Sequence, residues 1–313
     1  MGSSTAILCS GQGTQHAGMF DLVAQAPEAQ PILEAARGPL GGKHPQQFVR
    51  EANEAELFSN CIGQILCCTQ TLAAWAIIRP HLPGSVVIAG YSVGELAAWG
   101  CAGLLEPAEV LRLSVTRAEA MDAVGGNDSG LAAVIGLSQA RLEALCRPHG
   151  AHIAIINGKD FFIIGGKKEA LKIVRDEATK AGATEAILLR VAVAAHTPLL
   201  AEASRRFADA LAGSHIADRL PDQVRLLSGV DGNAVFDVLD GAHKLAAQIG
   251  NTLQWAACLE SCRAAGADTL LELGPGCALA SMARRIVPEG RIRSVDDFRT
   301  PAGVLAWINR QAS

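Results

Sequence analysis

The sequence predicts a mixed α/β protein organised around a mostly parallel β-sheet. Half of its 313 residues are apolar and only 19% are charged, a balance that suits a large buried core. Short apolar runs alternate with helical patterns from the N-terminus onward, and strands buried on both faces of a parallel sheet read as such runs. Because single cores stop growing at roughly 250–300 residues, a second, smaller domain is also expected.

The larger domain is predicted from its apolar runs. We predict a helix at 111–121 (LRLSVTRAEAM) and strands at 5–10 (TAILCS), 85–90 (SVVIAG) and 269–274 (TLLELG). Open α/β sheets place their functional sites at the C-terminal ends of the strands. The predicted larger, catalytic domain spans 1–127 and 196–313, with its site expected at that edge of the sheet.

A turn-rich stretch, GGNDSG at 125–130, precedes a segment with a different element order. This segment reads as strand, helix, strand, strand, helix and strand, at 131–136, 138–147, 152–158, 160–166, 167–182 and 186–195. Ser138 suits the N-cap of its first helix, and Gly182 suits the end of its second. Because this order is ferredoxin-like, we predict an inserted ferredoxin-like small domain at 128–195.

Composition and charge argue against several classes of function. The net charge of −4 is spread along the chain and leaves no basic stripe for nucleic-acid binding. No apolar run reaches the roughly 18 residues of a membrane span, and the N-terminus lacks signal-peptide features, so we expect a cytoplasmic protein with no membrane partner. The nine cysteines form neither CxxC pairs nor His-rich spacings, which predicts reduced thiols and no metal site.

The clearest chemical motif is IAGYSVGELAAWG at 88–100, where an apolar strand runs through glycine and serine into a helix. In a G-x-S-x-G elbow, small residues such as Gly90 and Gly94 let a strained strand-to-helix turn expose the serine hydroxyl. Ser92 is then the candidate nucleophile, and the N–H of Val93 would face an oxyanion at the helix N-terminus. Such elbows are typical of α/β-hydrolase-like domains; an ordinary strand-to-helix turn is the alternative.

A nucleophilic serine needs a positioned base, and histidine is the usual one. Of the eight histidines, His196 stands out because it follows the predicted strand 186–195 and so lies at the same sheet edge as the elbow. A structural histidine is the alternative. The first strand ends in SGQGTQ at 10–15, where Gly11 would let the backbone approach a ligand and Gln12 would donate to an oxyanion. A solvated turn is the alternative there.

Arg117 is the candidate for binding a negatively charged substrate group. It lies on the predicted helix 111–121, with Leu113 and Met121 one turn away on either side. An arginine buried on such an apolar face needs a carboxylate partner, because an unpaired buried charge costs several kcal/mol. That partner belongs either to the protein or to the substrate, and a bidentate pair with a substrate carboxylate is the functional interpretation.

Four of these pieces together, GQGTQ at 11–15, GYSVGE at 90–95, Arg117 and His196, resemble the malonyl-CoA:acyl-carrier-protein transacylases in order and spacing. The resemblance extends to NTLQW at 251–255 and LELGPG at 271–276, and so covers essentially the whole chain. It implies an acyltransferase that takes malonyl-CoA and an acyl carrier protein as substrates. The thiol of the carrier is of the phosphopantetheine type, and no cofactor is bound to the enzyme itself.

The resemblance implies a ping-pong reaction with a serine ester as intermediate. Ser92 would be the acylated nucleophile, and His196 would act as its base and then as the acid for the leaving thiol. In this family a main-chain carbonyl orients the histidine, and NTLQW is the matching segment. Gln254 is the preferred candidate for that carbonyl, and Asn251 is the alternative.

The resemblance also assigns the binding groups. Gln12 and the N–H of Val93 would form the oxyanion hole, and Arg117 would pair with the free carboxylate of a malonyl group. Gly11 and Tyr91 would line the acyl site. Tyr91 is a departure, because the family commonly has histidine immediately before the nucleophile.

A second departure lies upstream, where SNCIGQ at 59–64 replaces the Thr-Gln-Pro segment of the family. GYSVGELAAWG and CIGQILCCTQ look like the transacylase subunit of bacterial malonate decarboxylase, called its epsilon or H subunit. That resemblance implies priming of a small carrier subunit whose thiol belongs to a dephospho-CoA-derived group. The alternative is the malonyl-CoA:acyl-carrier-protein transacylase of fatty-acid synthesis.

Two other classes of function remain open from the sequence. A serine thioesterase or hydrolase uses the same elbow but needs an acidic triad member between Ser92 and His196. Asp160 and Asp176 are the candidates for that member, one in a predicted tight hairpin and the other on a polar helix face. A module that binds a carrier protein without catalysis is the third class.

Overall fold

The computed structural model describes residues 4–82, 84–126 and 128–310. Its strands are β1 Ser4–Cys9, β2 Val86–Gly90, β3 Ser129–Ile135, β4 His152–Ile156, β5 Phe161–Lys167, β6 Glu185–Leu188, β7 Val224–Leu226, β8 Ala267–Leu273 and β9 Arg291–Ser294. Its α-helices are α1 Gln30–Ala35, α2 Pro45–Glu51, α3 Glu54–Leu57, α4 Asn60–Ile78, α5 Val93–Cys101, α6 Pro107–Gly125, α7 Gln139–Cys146, α8 Lys168–Lys180, α9 Ala201–Ala212, α10 Val238–Ala247, α11 Trp255–Ala264, α12 Ala278–Ile286 and α13 Pro301–Ile308.

Five strands form a parallel sheet in the order β7-β2-β1-β8-β9. Its central strands are apolar and fully buried, because helices cover both faces of the sheet. The three predicted strands at 5–10, 85–90 and 269–274 are confirmed as β1, β2 and β8. They lie side by side, so the segments that follow them meet at one edge of the sheet.

The remaining four strands form an antiparallel sheet in the order β4-β5-β3-β6. Along the chain its elements run β3, α7, β4, β5, α8 and β6, and a separate apolar cluster lies between this sheet and its two helices. Ser138 caps α7, as predicted, by accepting a hydrogen bond from the N–H of Arg141. The predicted boundary at residue 127 lies outside the described residues, as do positions 1–3 and 311–313.

The strand predicted at 186–195 is too long, because β6 ends at Leu188. Beyond that point the chain leaves the sheet. Leu189 and Val191 then turn towards the space between the two sheets, while Val193 and Ala195 join the core of the larger sheet. The apolar residues that extended the predicted strand therefore lie in a loop, where Leu189 and Val191 are half-buried and Val193 and Ala195 are buried, and apolar composition alone does not distinguish a loop from a strand.

The long helix α4 crosses the core beside α5 and α6. Together with the turn that follows it, the segment Asn60–His81 is long and apolar enough to span a bilayer by length and composition. Most of that segment is buried inside the protein, as expected for a core helix of an α/β fold.

The segment at 251–255 links the antiparallel sheet to the loop that follows β7 of the parallel sheet, since the N–H of Gln254 donates to the carbonyl of Gly229. The N–H of Leu253 donates to the carbonyl of Ala154, and the N–H of Ile156 donates to the carbonyl of Leu253, so the segment pairs with β4. A cavity of ≈ 260 Å³ opens between the sheets at the C-terminal ends of β1, β2 and β8. It is lined by loops from both sheets and by α4 and α6.

Candidate active site

The turn after β2 is a strained elbow that presents Ser92 to this cavity. Ser92 has φ 58° and ψ −121°, a conformation that side-chain-bearing residues rarely adopt. A Cβ on Gly90 would lie 2.2 Å from the Cα of Glu95, and one on Gly94 would lie 2.1 Å from the carbonyl oxygen of Cys9. Only glycine at both positions lets α5 pack this tightly against the strands, as the motif predicts.

Ser92 and His196 form a hydrogen-bonded pair. The Nε2 of His196 lies 2.8 Å from the Oγ of Ser92, and its Nδ1 lies 2.6 Å from the main-chain oxygen of Gln248. Since a carbonyl oxygen can only accept, Nδ1 carries the proton and Nε2 accepts from the serine hydroxyl. His196 also has a positive φ of 62°, and its N–H donates to the carbonyl of Ile249.

The prediction that Gln254 or Asn251 orients the histidine is wrong. The carbonyl in contact with His196 is that of Gln248, the C-cap residue that follows α10. The N–H of Gln254 donates instead to the carbonyl of Gly229, and Gln254 precedes α11. The segment that contains both predicted candidates is held by its pairing with β4, so its carbonyls do not face the histidine.

Burial controls the protonation of the pair. His196 is buried, and this desolvation, reinforced by the positive charge of Arg117, lowers its pKa to about 3 although the carbonyl of Gln248 favours the charged form. The imidazole is therefore neutral at physiological pH and has a free nitrogen for the serine proton. A buried neutral histidine beside a serine is suited to general-base catalysis.

The predicted oxyanion donors are Gln12, at the cavity, and Val93, the residue after Ser92. Val93 is the first residue of α5, where N–H groups have no acceptor within the helix. Gln12 lines the cavity, and its Nε2 is 3.4 Å from the Oδ1 of Asn60. A Cβ on Gly11 would lie 2.7 Å from the carbonyl oxygen of Tyr91, so this loop lies directly against the elbow.

Arg117 lies on α6, 1% exposed, and lines the cavity that contains Ser92. Its Nη1 donates to the Oε1 of Gln64 at 2.8 Å, its Nη2 lies 3.3 Å from the Oε1 of Gln248, and its Nε has no partner among the described residues. Desolvation lowers its pKa to about 10, so the guanidinium remains charged at neutral pH. No carboxylate within the described chain forms a salt bridge with it, which leaves a buried cation facing the cavity.

Tyr91 also lines the cavity, with its ring packed edge-on against Trp255 at a centroid distance of 5.3 Å. The segment at 59–64 reaches the site through α4. Gln64 contacts Arg117, and its Nε2 donates to the Oδ1 of Asn60 at 2.9 Å. Each sequence departure therefore contributes a residue to the cavity wall, Tyr91 in one case and Gln64 in the other.

Sequence reasoning missed three residues of the site: Gln64, Gln248 and Glu272. Glu272 is the penultimate residue of β8 and lines the cavity, where it accepts from the Oγ of Ser10 at 2.8 Å. The altered segment at 59–64 was a usable signal for Gln64. Gln248 had none, because its contact with His196 is made by a main-chain oxygen. No cluster of His, Cys, Asp or Glu that suits a metal ion occurs within residues 4–82, 84–126 and 128–310.

The two aspartates that a hydrolase triad would require lie elsewhere. Asp176 is exposed on α8 and pairs with Arg175, and Asp160 lies in the exposed turn between β4 and β5. Nδ1 of His196 is already bonded to a main-chain carbonyl. The geometry is thus a serine–histidine pair completed by a carbonyl rather than a serine–histidine–aspartate triad.

Comparison with known proteins identifies the family. The sequence model of the acyl transferase domain family matches residues 7–299 of the chain. The malonyl CoA-acyl carrier protein transacylase of Salmonella typhimurium is 29% identical over 292 residues, covering 90% of this chain and 92% of that protein. The structure of the same-named protein from Coxiella burnetii aligns with a TM-score of 0.90 at 26% identity, covering 99% of this chain and 98% of that one.

A further solved structure contains a carrier protein. It is a type II PKS acyl-carrier protein in complex with its malonyl-transacylase, and it aligns with a TM-score of 0.89 at 26% identity over 97% of this chain and 99% of that one. These comparisons confirm, at the level of the family, the resemblance found in the sequence. The chain therefore belongs to the acyl transferase domain family, and it is similar over nearly its whole length to malonyl CoA-acyl carrier protein transacylases.

Proposed function

We propose that the protein transfers malonyl from malonyl-CoA, through an ester on Ser92, to the phosphopantetheine-type thiol of an acyl carrier protein. The observation that carries the proposal is the buried, charged Arg117 in the cavity of the Ser92–His196 pair. A carboxylate on the acyl group would neutralise this cation and form charge-assisted hydrogen bonds with it. Malonyl supplies such a carboxylate, and the named relatives support the same substrate.

In the first half-reaction, the Oγ of Ser92 attacks the thioester carbonyl while the Nε2 of His196 takes its proton. The carbonyl π electrons move onto the oxygen, which the N–H of Val93 and the amide of Gln12 would stabilise. When the carbonyl re-forms, the C–S bond breaks and the imidazolium returns the proton to the sulfur of CoA. The carbonyl of Gln248 keeps the imidazole in the required tautomer and stabilises its charged form.

In the second half-reaction, the thiol of the carrier replaces that of CoA. His196 takes the thiol proton, the sulfur attacks the ester carbonyl, and the C–O bond to Ser92 breaks. The serine oxygen then recovers the proton from the imidazolium. Transfer has to outrun hydrolysis, and the apolar wall of the cavity, which includes Leu189 and Val191, favours exclusion of water.

The identity of the carrier has two candidates. The curated relatives carry the name malonyl CoA-acyl carrier protein transacylase, which favours an acyl carrier protein of the fatty-acid-synthesis type. The second candidate is the carrier subunit of malonate decarboxylase. Its support is the resemblance of GYSVGELAAWG and CIGQILCCTQ to the transacylase subunit of that enzyme, and these stretches contain Tyr91 and part of the altered segment at 59–64.

Intact-mass spectrometry tests the proposal. Incubation with malonyl-CoA should add one malonyl group to the wild-type protein and none to Ser92→Ala. Addition of a carrier protein should then remove the malonyl group and transfer it to the carrier thiol. No adduct, or loss of the adduct to water faster than to the carrier, would contradict a transferase. Comparison of a fatty-acid-synthesis carrier with a malonate decarboxylase carrier would decide between the two candidates.

We also propose the domain division predicted from the sequence. In this proposal 128–195 is an inserted ferredoxin-like small domain, and 1–127 with 196–313 is an α/β-hydrolase-like large domain. The strand order β4-β5-β3-β6 and the separate apolar cluster of the antiparallel sheet support the division, and the elbow at Ser92 supports the description of the large domain. The cytoplasmic location stays a prediction.

A further inference from the structure

The side chain of Gln248 joins several parts of the site. Its Nε2 donates to the main-chain oxygen of Ser92 at 3.0 Å and to the Oε2 of Glu95 at 2.8 Å, while its Oε1 accepts from the Nη2 of Arg117 at 3.3 Å. Its main-chain oxygen accepts from His196. One fully buried glutamine therefore contacts the nucleophile, the base and the cation for the acyl group.

Glu95 is a buried carboxyl group for which the reaction described above has no use. It lies in the first turn of α5, three residues after Ser92, and is 0% exposed. Besides Gln248, it accepts from the N–H of Gly229, and a Cβ on that glycine would lie 2.6 Å from its Oε2. Desolvation raises the pKa of Glu95 to about 8, yet in either protonation state a carboxyl oxygen remains to accept from Gln248.

Glu95 and the main-chain oxygen of Ser92 together determine which way the amide of Gln248 points. A glutamine amide has a donor end and an acceptor end of nearly equal size. Reversal of this amide would turn its NH₂ group towards Arg117, which has only donors, and would set its oxygen against Glu95 and the carbonyl of Ser92. The carbonyl of Ser92 and the carboxyl of Glu95 thus keep the amide oxygen of Gln248 directed at the guanidinium of Arg117.

We infer that Glu95 is a positioning residue for acyl transfer, which acts by holding the Gln248 side chain so that Arg117 and His196 keep one common geometry. The inference rests on the proposed malonyl transfer and extends it to a residue that touches no reacting atom. Gln248 contacts Arg117 through its side chain and His196 through its main chain. Loss of the Glu95 carboxyl should therefore disturb the binding of the malonyl carboxylate by Arg117 more than proton transfer by His196.

Substitution of Glu95 separates an effect on carboxylate binding from an effect on proton transfer. In Glu95→Met the amide loses one of its two acceptors and keeps only the main-chain oxygen of Ser92, so we expect kcat/KM for malonyl-CoA to fall about tenfold to hundredfold, with most of the change in KM. Acetyl-CoA has no free carboxylate, and its rate of Ser92 acylation should fall much less. Glu95→Gln keeps an oxygen for Gln248 and should restore most of the malonyl rate.

The matched control is Glu143→Met, because Glu143 accepts from the amide of Gln139 at 2.9 Å on the exposed face of α7. It should leave both rates unchanged. Equal losses with both acyl groups in folded Glu95→Met, or wild-type rates, would overturn the inference. If Glu95→Met does not fold, Gln248→Met tests the same contact, since it keeps the main-chain carbonyl. Failure of the wild-type protein to form a malonyl adduct would instead overturn the proposed function.

Discussion

At the scale of single residues, the site depends on two strained backbones. Ser92 and His196 are the residues other than glycine that have positive φ within the described chain. Such conformations cost roughly 1–3 kcal/mol each and persist where the surroundings over-determine them. Here the close packing at the elbow glycines holds the conformation of Ser92, and the hydrogen bonds to Gln248 and Ile249 hold that of His196. In these conformations the Oγ of Ser92 lies 2.8 Å from the Nε2 of His196.

Arg117 gives the first prediction. Arg117→Met keeps an unbranched side chain but removes the charge, so kcat/KM for malonyl-CoA should fall by about a hundredfold. Acetyl transfer should change by less than about tenfold, because acetyl leaves no carboxylate to pair. The control is Arg112→Met on the exposed face of the same helix, where Arg112 pairs with Glu109. Equal losses with both acyl groups would exclude Arg117 as the carboxylate-binding residue.

The pH dependence of Ser92 acylation gives the second prediction. Because burial and the charge of Arg117 lower the pKa of His196 to about 3, the base stays neutral well below the usual titration range of histidine near 6.5. The rate of Ser92 acylation by acetyl-CoA should therefore be flat between about pH 5 and 7. Arg117→Met removes one cause of the lowered pKa of His196. The fall in acylation rate on the acid side of the pH profile should therefore move to higher pH. A wild-type limb near pH 6.5 would contradict this assignment.

At the scale of elements, the packing of α5 on β1 and β2 decides whether the elbow forms. The N–H of Tyr91 donates to the carbonyl of Cys9, and the helix begins immediately after Ser92. Close contact between helix and strand leaves no room for a side chain at Gly94. The elbow is thus a property of three elements together, although its five-residue pattern is local.

Gly94→Ala tests this packing and is the third prediction. The added Cβ would meet the main-chain oxygen of Cys9 at 2.1 Å and that of Ser10 at 2.7 Å, and a strand backbone has little freedom to move. We expect the free energy of unfolding to fall by about 1–3 kcal/mol or more, together with loss of acylation. Gly38→Ala, whose Cβ would meet no atom within 4 Å, is the control. Denaturant unfolding with equal midpoints for the two variants would contradict the prediction.

At the scale of the whole molecule, Glu272 ties together three parts of the large sheet region. It lies near the end of β8 and accepts from the Oγ of Ser10, just after β1, and from the N–H groups of Leu279 and Ala280 in the first turn of α12. Burial raises its pKa to about 7 despite these donors. Its ionisation is therefore coupled to the stability of the fold.

The fourth prediction follows from that coupling. The folded pKa lies above the ordinary value of 4.5 for an exposed glutamate, so the unfolded chain releases the proton first. This contribution to stability is present at low pH and is lost between about pH 4.5 and 7, by an amount on the order of 3 kcal/mol. Urea unfolding of Glu272→Gln should show a shallower decline over that range. The exposed control Glu289→Gln should follow the wild type, and identical slopes for all three proteins would refute the coupling.

Much of this organisation could be predicted from the sequence because its causes are local. Continuous apolar runs marked β1, β2 and β8, and a cap at Ser138 marked the start of α7. Glycine spacing marked the elbow, and the positions of His196 and Arg117 relative to their elements marked them as candidates. The prediction failed at 189–195, where an apolar run forms a loop instead of a strand.

What the sequence by itself determined is which residues supply the chemistry: a serine on an elbow, a histidine, a glutamine-containing loop and an arginine on an apolar helix. The tertiary structure alone decided how they are held. Every residue has a main-chain carbonyl, so no side chain identifies Gln248 as the partner of His196. Gln248, Glu95 and Arg117 likewise come from three separate helical segments, and only the packing of those segments brings a buried cation, an amide and a carboxyl into contact.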